Sequence, residues 1–109
     1  MPHIIVKYSN AIDASIPSIL ENAHEALTAQ GIPKEKIKTR GIPFPHTIVG
    51  DKGTEGNMLH ASLLLLAGRD IPTRKQYGDA IMEQIKAGAP EGTTISMEIS
   101  EMDPDTYYL

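Results

Sequence analysis

The sequence predicts an α+β domain in which two βαβ units form a four-stranded mixed sheet with two helices on one face. Three observations point there. The chain opens on a short Ile/Val-rich run at residues 3–8, the composition of a strand. Two segments of helical period follow strands, and each is closed by a glycine and then a proline. Three further extended segments complete the pattern, one of them alternating cleanly between apolar and polar. With 109 residues there is room for a single domain, residues 1–109, and none for a second independent core.

After the first strand the chain breaks at Ser9-Asn10. Asp13 or Ser15 is placed to cap a helix, Pro17 suits its first turn, and Ile16, Leu20, Ala23 and Leu27 recur on one face. Gly31 fits the position just past the helix, and Pro33 prevents continuation. Residues 37–49 contain Ile42-Pro43-Phe44-Pro45, which rules out central pairing and leaves extended chain or a kinked edge strand. Residues 51–57 read as a turn. In the strand at 58–67, Leu59, Ala61, Leu63 and Leu65 face one way and His60 and Ser62 the other. Leu64 and Leu66 continue the polar side as apolar, so that end needs cover on both faces. Gly68 ends the strand, Asp70 caps a second helix, and Pro72 lies in its first turn. Tyr77, Ala80, Ile81 and Ile85 are its expected buried stripe, and Gly88 and Pro90 stop it. Residues 93–101 alternate as a last strand, with Ile95, Met97 and Ile99 opposed to Ser96, Glu98 and Ser100. Right-handed crossovers place both helices on one face and leave the other bare, so burying it calls for partner chains.

Composition narrows the function. Ten Lys+Arg against 14 Asp+Glu give a net charge of −4, which argues against a general grip on nucleic acid or an anionic membrane. One Phe, four Tyr and no Trp make a base-stacking platform a poor fit. The absence of cysteine removes disulfides, thiolate metal sites and cysteine nucleophiles. His3, His24, His46 and His60 lack ligand spacing, so no metal is expected. Gly53-Thr54-Glu55-Gly56 is too short for a phosphate loop, and no cofactor is expected. The start lacks a secretory signal and the longest apolar run, residues 63–67, is too short to cross a bilayer; a cytoplasmic protein is the expectation.

What remains is Pro2. Met1-Pro2 is by itself a common chain start. If Met1 is removed, the chain begins with a secondary amine, and apolar burial and nearby cations would lower its pKa toward that of a general base near neutrality. Cations are available. Lys38 and Arg40 alternate by two and share a face of an extended segment. Arg69 follows the end of the main strand, where functional groups often project. Arg74 lies in the first helical turn, a poor place for an unpartnered cation, and calls for an acidic partner or an anionic ligand.

These pieces are collinear with a known family. Met1-Pro2-His3 before an Ile/Val strand, Ile37-Lys38-Thr39-Arg40, Leu59-His60-Ala61-Ser62-Leu63, Gly68-Arg69 with Arg74 five residues on, and Glu98-Ile99-Ser100-Glu101 span nearly the whole chain. In them the chain resembles the 5-carboxymethyl-2-hydroxymuconate Δ-isomerase family. That family belongs to the tautomerase superfamily, with 4-oxalocrotonate tautomerase and macrophage migration inhibitory factor. The resemblance implies the tautomerase fold and a homotrimer with its sheets turned inward. It further implies a cofactor-free isomerase of aromatic catabolism that moves a proton along a small-molecule dienol carboxylate. On that pattern Pro2 is the base and then the acid, Arg69 faces the dienol or a carboxylate, and Lys38 and Arg40 complete the catalytic and substrate-holding set. Where the family tends to carry Ile-Arg-Ser-Arg, this chain has Ile-Lys-Thr-Arg, and Lys38 keeps the charge without the bidentate fork. Two other readings share the scaffold: a dehalogenase or decarboxylase working through a protonated proline, and a non-catalytic trimeric binding protein. Tyr107 and Tyr108, in a tail shorter than the family pattern leads one to expect, either cover an apolar interface or fray.

Overall fold

A computed structural model describes residues 1–109. In chain order the elements are β1 (His3–Ser9), α1 (Ile16–Ala29), β2 (Lys38–Phe44), β3 (Met58–Leu66), α2 (Ile71–Gly88) and β4 (Thr94–Met102). The strands lie in the order β2-β1-β3-β4. β1 runs parallel to β2, β3 parallel to β4, and the two central strands are antiparallel. The halves β1-α1-β2 and β3-α2-β4 are therefore related by a pseudo-twofold through the middle of the sheet.

One face of the sheet carries the core. Ile4, Val6 and Tyr8 from β1 and Leu59, Ala61, Leu63 and Leu65 from β3 are buried against Ile16, Ile19, Ala23 and Leu27 of α1 and Ile81 and Ile85 of α2. Both helices thus sit on that face, as the period-2 and period-3.6 patterns required. No helix is long and apolar enough to cross a membrane.

Several local expectations change. Neither Asp13 nor Ser15 caps α1 with its side chain. A 3₁₀ turn at Asn10–Ser15 leads into the helix, so the backbone is already helical at Ser15, and Asp13 instead accepts the Tyr8 hydroxyl proton. That bond, with burial, pushes the Tyr8 pKa up to about 12. Ile19 rather than Leu20 is fully buried, because Leu20 lies at the flank of the stripe. On α2, Tyr77 and Ala80 are only half-buried, while Gly78 is buried. A Cβ on Gly78 would stand 2.8 Å from Ile99 Cδ1, so the glycine is what lets α2 approach β4. Residues 51–57 fall largely in a 3₁₀ segment, Gly50–Glu55. Residues 38–44 form an edge strand, which is where Pro43 is tolerated, opposite Tyr8.

The other face of the sheet is polar at its centre. His60 Nδ1 lies 2.7 Å from Ser96 Oγ and its Nε2 3.1 Å from Glu98 Oε1, to which Ser62 Oγ also donates at 3.3 Å. Those bonds hold the Glu98 carboxyl below the usual range. Leu64 and Leu66 on the same face are half-buried.

Candidate active site

Pro2 is buried immediately before β1, and its carbonyl accepts the Lys38 N–H at 3.0 Å. β1 and β2 both begin at this end of the sheet, and β3 and β4 both finish there. Gly68, with φ at +130°, turns the chain out of β3 through a conformation that side-chain-bearing residues rarely adopt. Asp70 then accepts the Thr73 N–H at 2.9 Å and starts α2. Arg69 is held between these two fixed points and projects toward the chain start.

A cavity of about 520 Å³ opens at that corner. Pro2 lies in it with Arg69 and Lys36; Ile32, Pro33 and Leu66 form apolar walls, and Tyr77, Pro104, Tyr107 and Leu109 close the far side. No Asp or Glu lines it. Neither Arg69 nor Lys36 has a carboxylate within ion-pairing distance; the lysine and arginine side chains that do are Lys34 with Glu25 and Arg74 with Glu101. The Arg69 guanidinium lies 5.7 Å from the centroid of the Tyr77 ring, a cation–π contact that orients it without neutralising it.

The electrostatic consequence is visible at the chain terminus. The Met1 amine is lowered below its ordinary pKa, first by burial and then by the fields of Arg69, Lys36 and Lys38. An amine here is easier to deprotonate than an ordinary chain terminus, and an anion entering the cavity meets two cations that no Asp or Glu pairs.

The structure brings Pro2 and Arg69 together. Lys38 is bonded to Pro2 through its backbone, with its side chain exposed. Arg40 stands on the uncovered sheet face, where Nη1 donates to His3 Nδ1 at 3.0 Å, outside the cavity of its own chain. Arg74 pairs with Glu101 at 3.2 Å, the acidic partner its position called for. Sequence reasoning missed Lys36, Tyr77 and Tyr107 as cavity residues. Lys34, Lys36 and Lys38 do alternate into the start of β2, a charge pattern that could have singled out Lys36. A second cavity, also about 520 Å³, lies at the opposite end among Phe44, His46, Thr47 and Asn57, and no lysine, arginine or carboxylate lines it. No three His, Asp or Glu side chains converge anywhere in the chain to hold a metal ion.

The 5-carboxymethyl-2-hydroxymuconate isomerase family pattern matches residues 2–108. The 5-carboxymethyl-2-hydroxymuconate Delta-isomerase of Escherichia coli is 31% identical over 112 residues, covering 95% of this chain and 89% of its own. A 5-carboxymethyl-2-hydroxymuconate isomerase from Deinococcus radiodurans R1 superposes with a TM-score of 0.85 at 25% identity, over 99% of this chain and 87% of that one. A wild-type fused 4-OT, solved as a symmetric trimer, shares the fold at a TM-score of 0.77 and 12% identity, over 98% of this chain and 90% of its own. Matched in sequence almost from end to end and in fold over its full length, the chain belongs to the 5-carboxymethyl-2-hydroxymuconate isomerase family of the tautomerase superfamily.

Proposed function

We propose that this isomerase moves a proton along a conjugated dienol carboxylate of the 5-carboxymethyl-2-hydroxymuconate type, in the breakdown of aromatic compounds. The Pro2 nitrogen, freed by removal of Met1, acts first as base and then as acid. The observation that carries the reading is the chain start itself: an amine position in a half-apolar cavity, flanked by two cations without carboxylate partners. The nitrogen takes the enol proton, the electron pair shifts along the diene as the keto carbonyl forms, and the same proton returns to a carbon further along. No atom is lost and no redox partner is needed. Arg69 is placed to stabilise the oxygen that carries the developing charge, and Lys36 to hold a carboxylate. Lys38 adds to the field at the amine.

The pH dependence tests the role of the nitrogen. Burial first, and then Arg69, Lys36 and Lys38, lower the Met1 amine in this structure, and the same surroundings would lower the Pro2 amine once Met1 is removed. Ketonisation of 2-hydroxymuconate is expected to rise as pH increases through that lowered value, because only the neutral amine accepts a proton. A rate that falls through the same limb would mean an acid role and overturn the base mechanism.

Arg40 and Lys38 join the substrate-holding set where a second copy brings the uncovered sheet face to a neighbouring cavity. The same packing would bury Leu64, Ile42 and Phe44, of which the last two are 40% and 39% exposed in the single chain. A homotrimer supplies it, and sedimentation is expected to give three times the chain mass of 11.9 kDa. A monomeric mass would remove Arg40 from the site.

A further inference from the structure

His3 is tied to two elements that the proton transfer leaves without a stated link. It is the first residue of β1, and Arg40 Nη1 donates to its Nδ1 at 3.0 Å. Its Nε2 lies 2.9 Å from the Tyr107 hydroxyl, with the two rings edge-on at 68° and their centroids 5.9 Å apart. A guanidinium only donates, so Nδ1 must be the bare nitrogen, and the neutral ring then carries its proton on Nε2, directed at Tyr107. Arg40 fixes the tautomer and the tautomer fixes the tyrosine.

Tyr107 belongs to the tail beyond β4. That tail is turned by Asp103, whose carboxylate accepts the Asp105 N–H at 2.9 Å and whose carbonyl accepts the Thr106 N–H at 3.1 Å. It then passes along the cavity, where Pro104, Tyr107 and Leu109 form one wall. Tyr108 beside them is 93% exposed, so the tail is not held by general burial. The His3 bond and the edge-on ring contact are the side-chain ties that set where Tyr107 stands.

We infer that His3 is a positioning residue: with Arg40 setting its tautomer, it locks Tyr107 as a wall of the Pro2 cavity and so tightens the hold on substrate. Its protonation would place a donor against the Arg40 donor and a second cation beside the first, freeing the ring to rotate. The groups that face it are Arg40 and Lys38 from β2, the chain-terminal amine and Tyr107; its partner on β3 is the apolar Leu64. Burial first, and then Arg40, the terminal amine and Lys38, hold its pKa below the ordinary 6.5. The lock is therefore fully present above that value and is lost as pH falls below it through the lowered one.

The effect on substrate rests on the function proposed above, whereas the lock itself is read without turnover. In the Met-free protein, His3→Phe and Tyr107→Phe are each expected to raise KM for 2-hydroxymuconate about fivefold, the worth of one hydrogen bond, and to leave kcat within about twofold. The double variant is expected to match His3→Phe, because with His3 gone Tyr107→Phe has no link left to remove. His3→Gln, which returns an N–H near the position of Nε2, restores most of the loss. The protection of amide exchange over residues 103–109, taken relative to the intrinsic rate at each pH, falls about fivefold in either Phe variant, and in the wild type as pH falls through the lowered His3 value. Effects that multiply in the double variant, or tail exchange unchanged in His3→Phe, would overturn the lock. A wild-type protein without ketonisation activity would overturn the proposed function, and the exchange measurement would still decide whether the lock exists.

Discussion

A chain carrying even one extra residue ahead of Pro2 is expected to lose ketonisation activity by about two to four orders of magnitude in kcat, the usual worth of a positioned general base. The reason is electronic. In a peptide bond the proline nitrogen is a tertiary amide with no basic lone pair. Arg69 and Lys36 remain, but the extra residue lines the cavity, as Met1 does here, so KM rises while kcat falls. The measurement is a comparison of two samples verified by intact mass, one Met-free and one with an uncleaved N-terminal extension. Equal activity would end the proline mechanism. Pro2→Ala gives a smaller loss, about ten- to a hundredfold, because an alanine amine still has a lone pair but lacks the ring that holds it against the apolar wall.

Arg69→Ala carries the second large effect. On the proposed mechanism it removes the cation opposite the developing oxyanion, and a donor so placed is worth about 10²–10³ in kcat. It also withdraws one of the fields that lower the terminal amine. The acidic limb of the pH–rate profile therefore moves to higher pH along with the loss of rate. A merely structural arginine would not move that limb, which makes the profile the decisive readout. Arg69→Lys restores the charge and most of the limb but not the planar fork, and so recovers rate only in part. Unchanged kinetics in Arg69→Ala would take it out of the site.

The sheet was readable because burial in a strand repeats every second residue. Leu59, Ala61, Leu63 and Leu65 announce their face without any tertiary knowledge. Pro2 and Arg69 could be singled out because each has a local reason, an amine at the chain start and a cation just past a strand end. Arg40 shows where such reasoning stops. Alternation says that it shares a face with Lys38 but not which face, and the face is the uncovered one, against His3. Lys36 sits in a three-residue 3₁₀ turn, Lys34–Lys36, with no period to mark it. Tyr107 lies in a tail whose path is set by the Asp103 turn and by a ring 104 residues away in the chain. Gly78 was hidden for another reason. Propensity marks a helical glycine as a weak point, whereas here a side chain would run into Ile99 of β4.

The pseudo-twofold through the sheet has a consequence for how many reaction centres one polypeptide can hold. The two halves have topologically corresponding corners, one ahead of β1 and one ahead of β3. Only the first can present a free amine, since the nitrogen of Asn57, which precedes β3, is bound into the backbone on both sides. On the proposed mechanism, a fold that borrows its reagent from the end of the chain is limited to one working corner per copy, however closely its halves come to match.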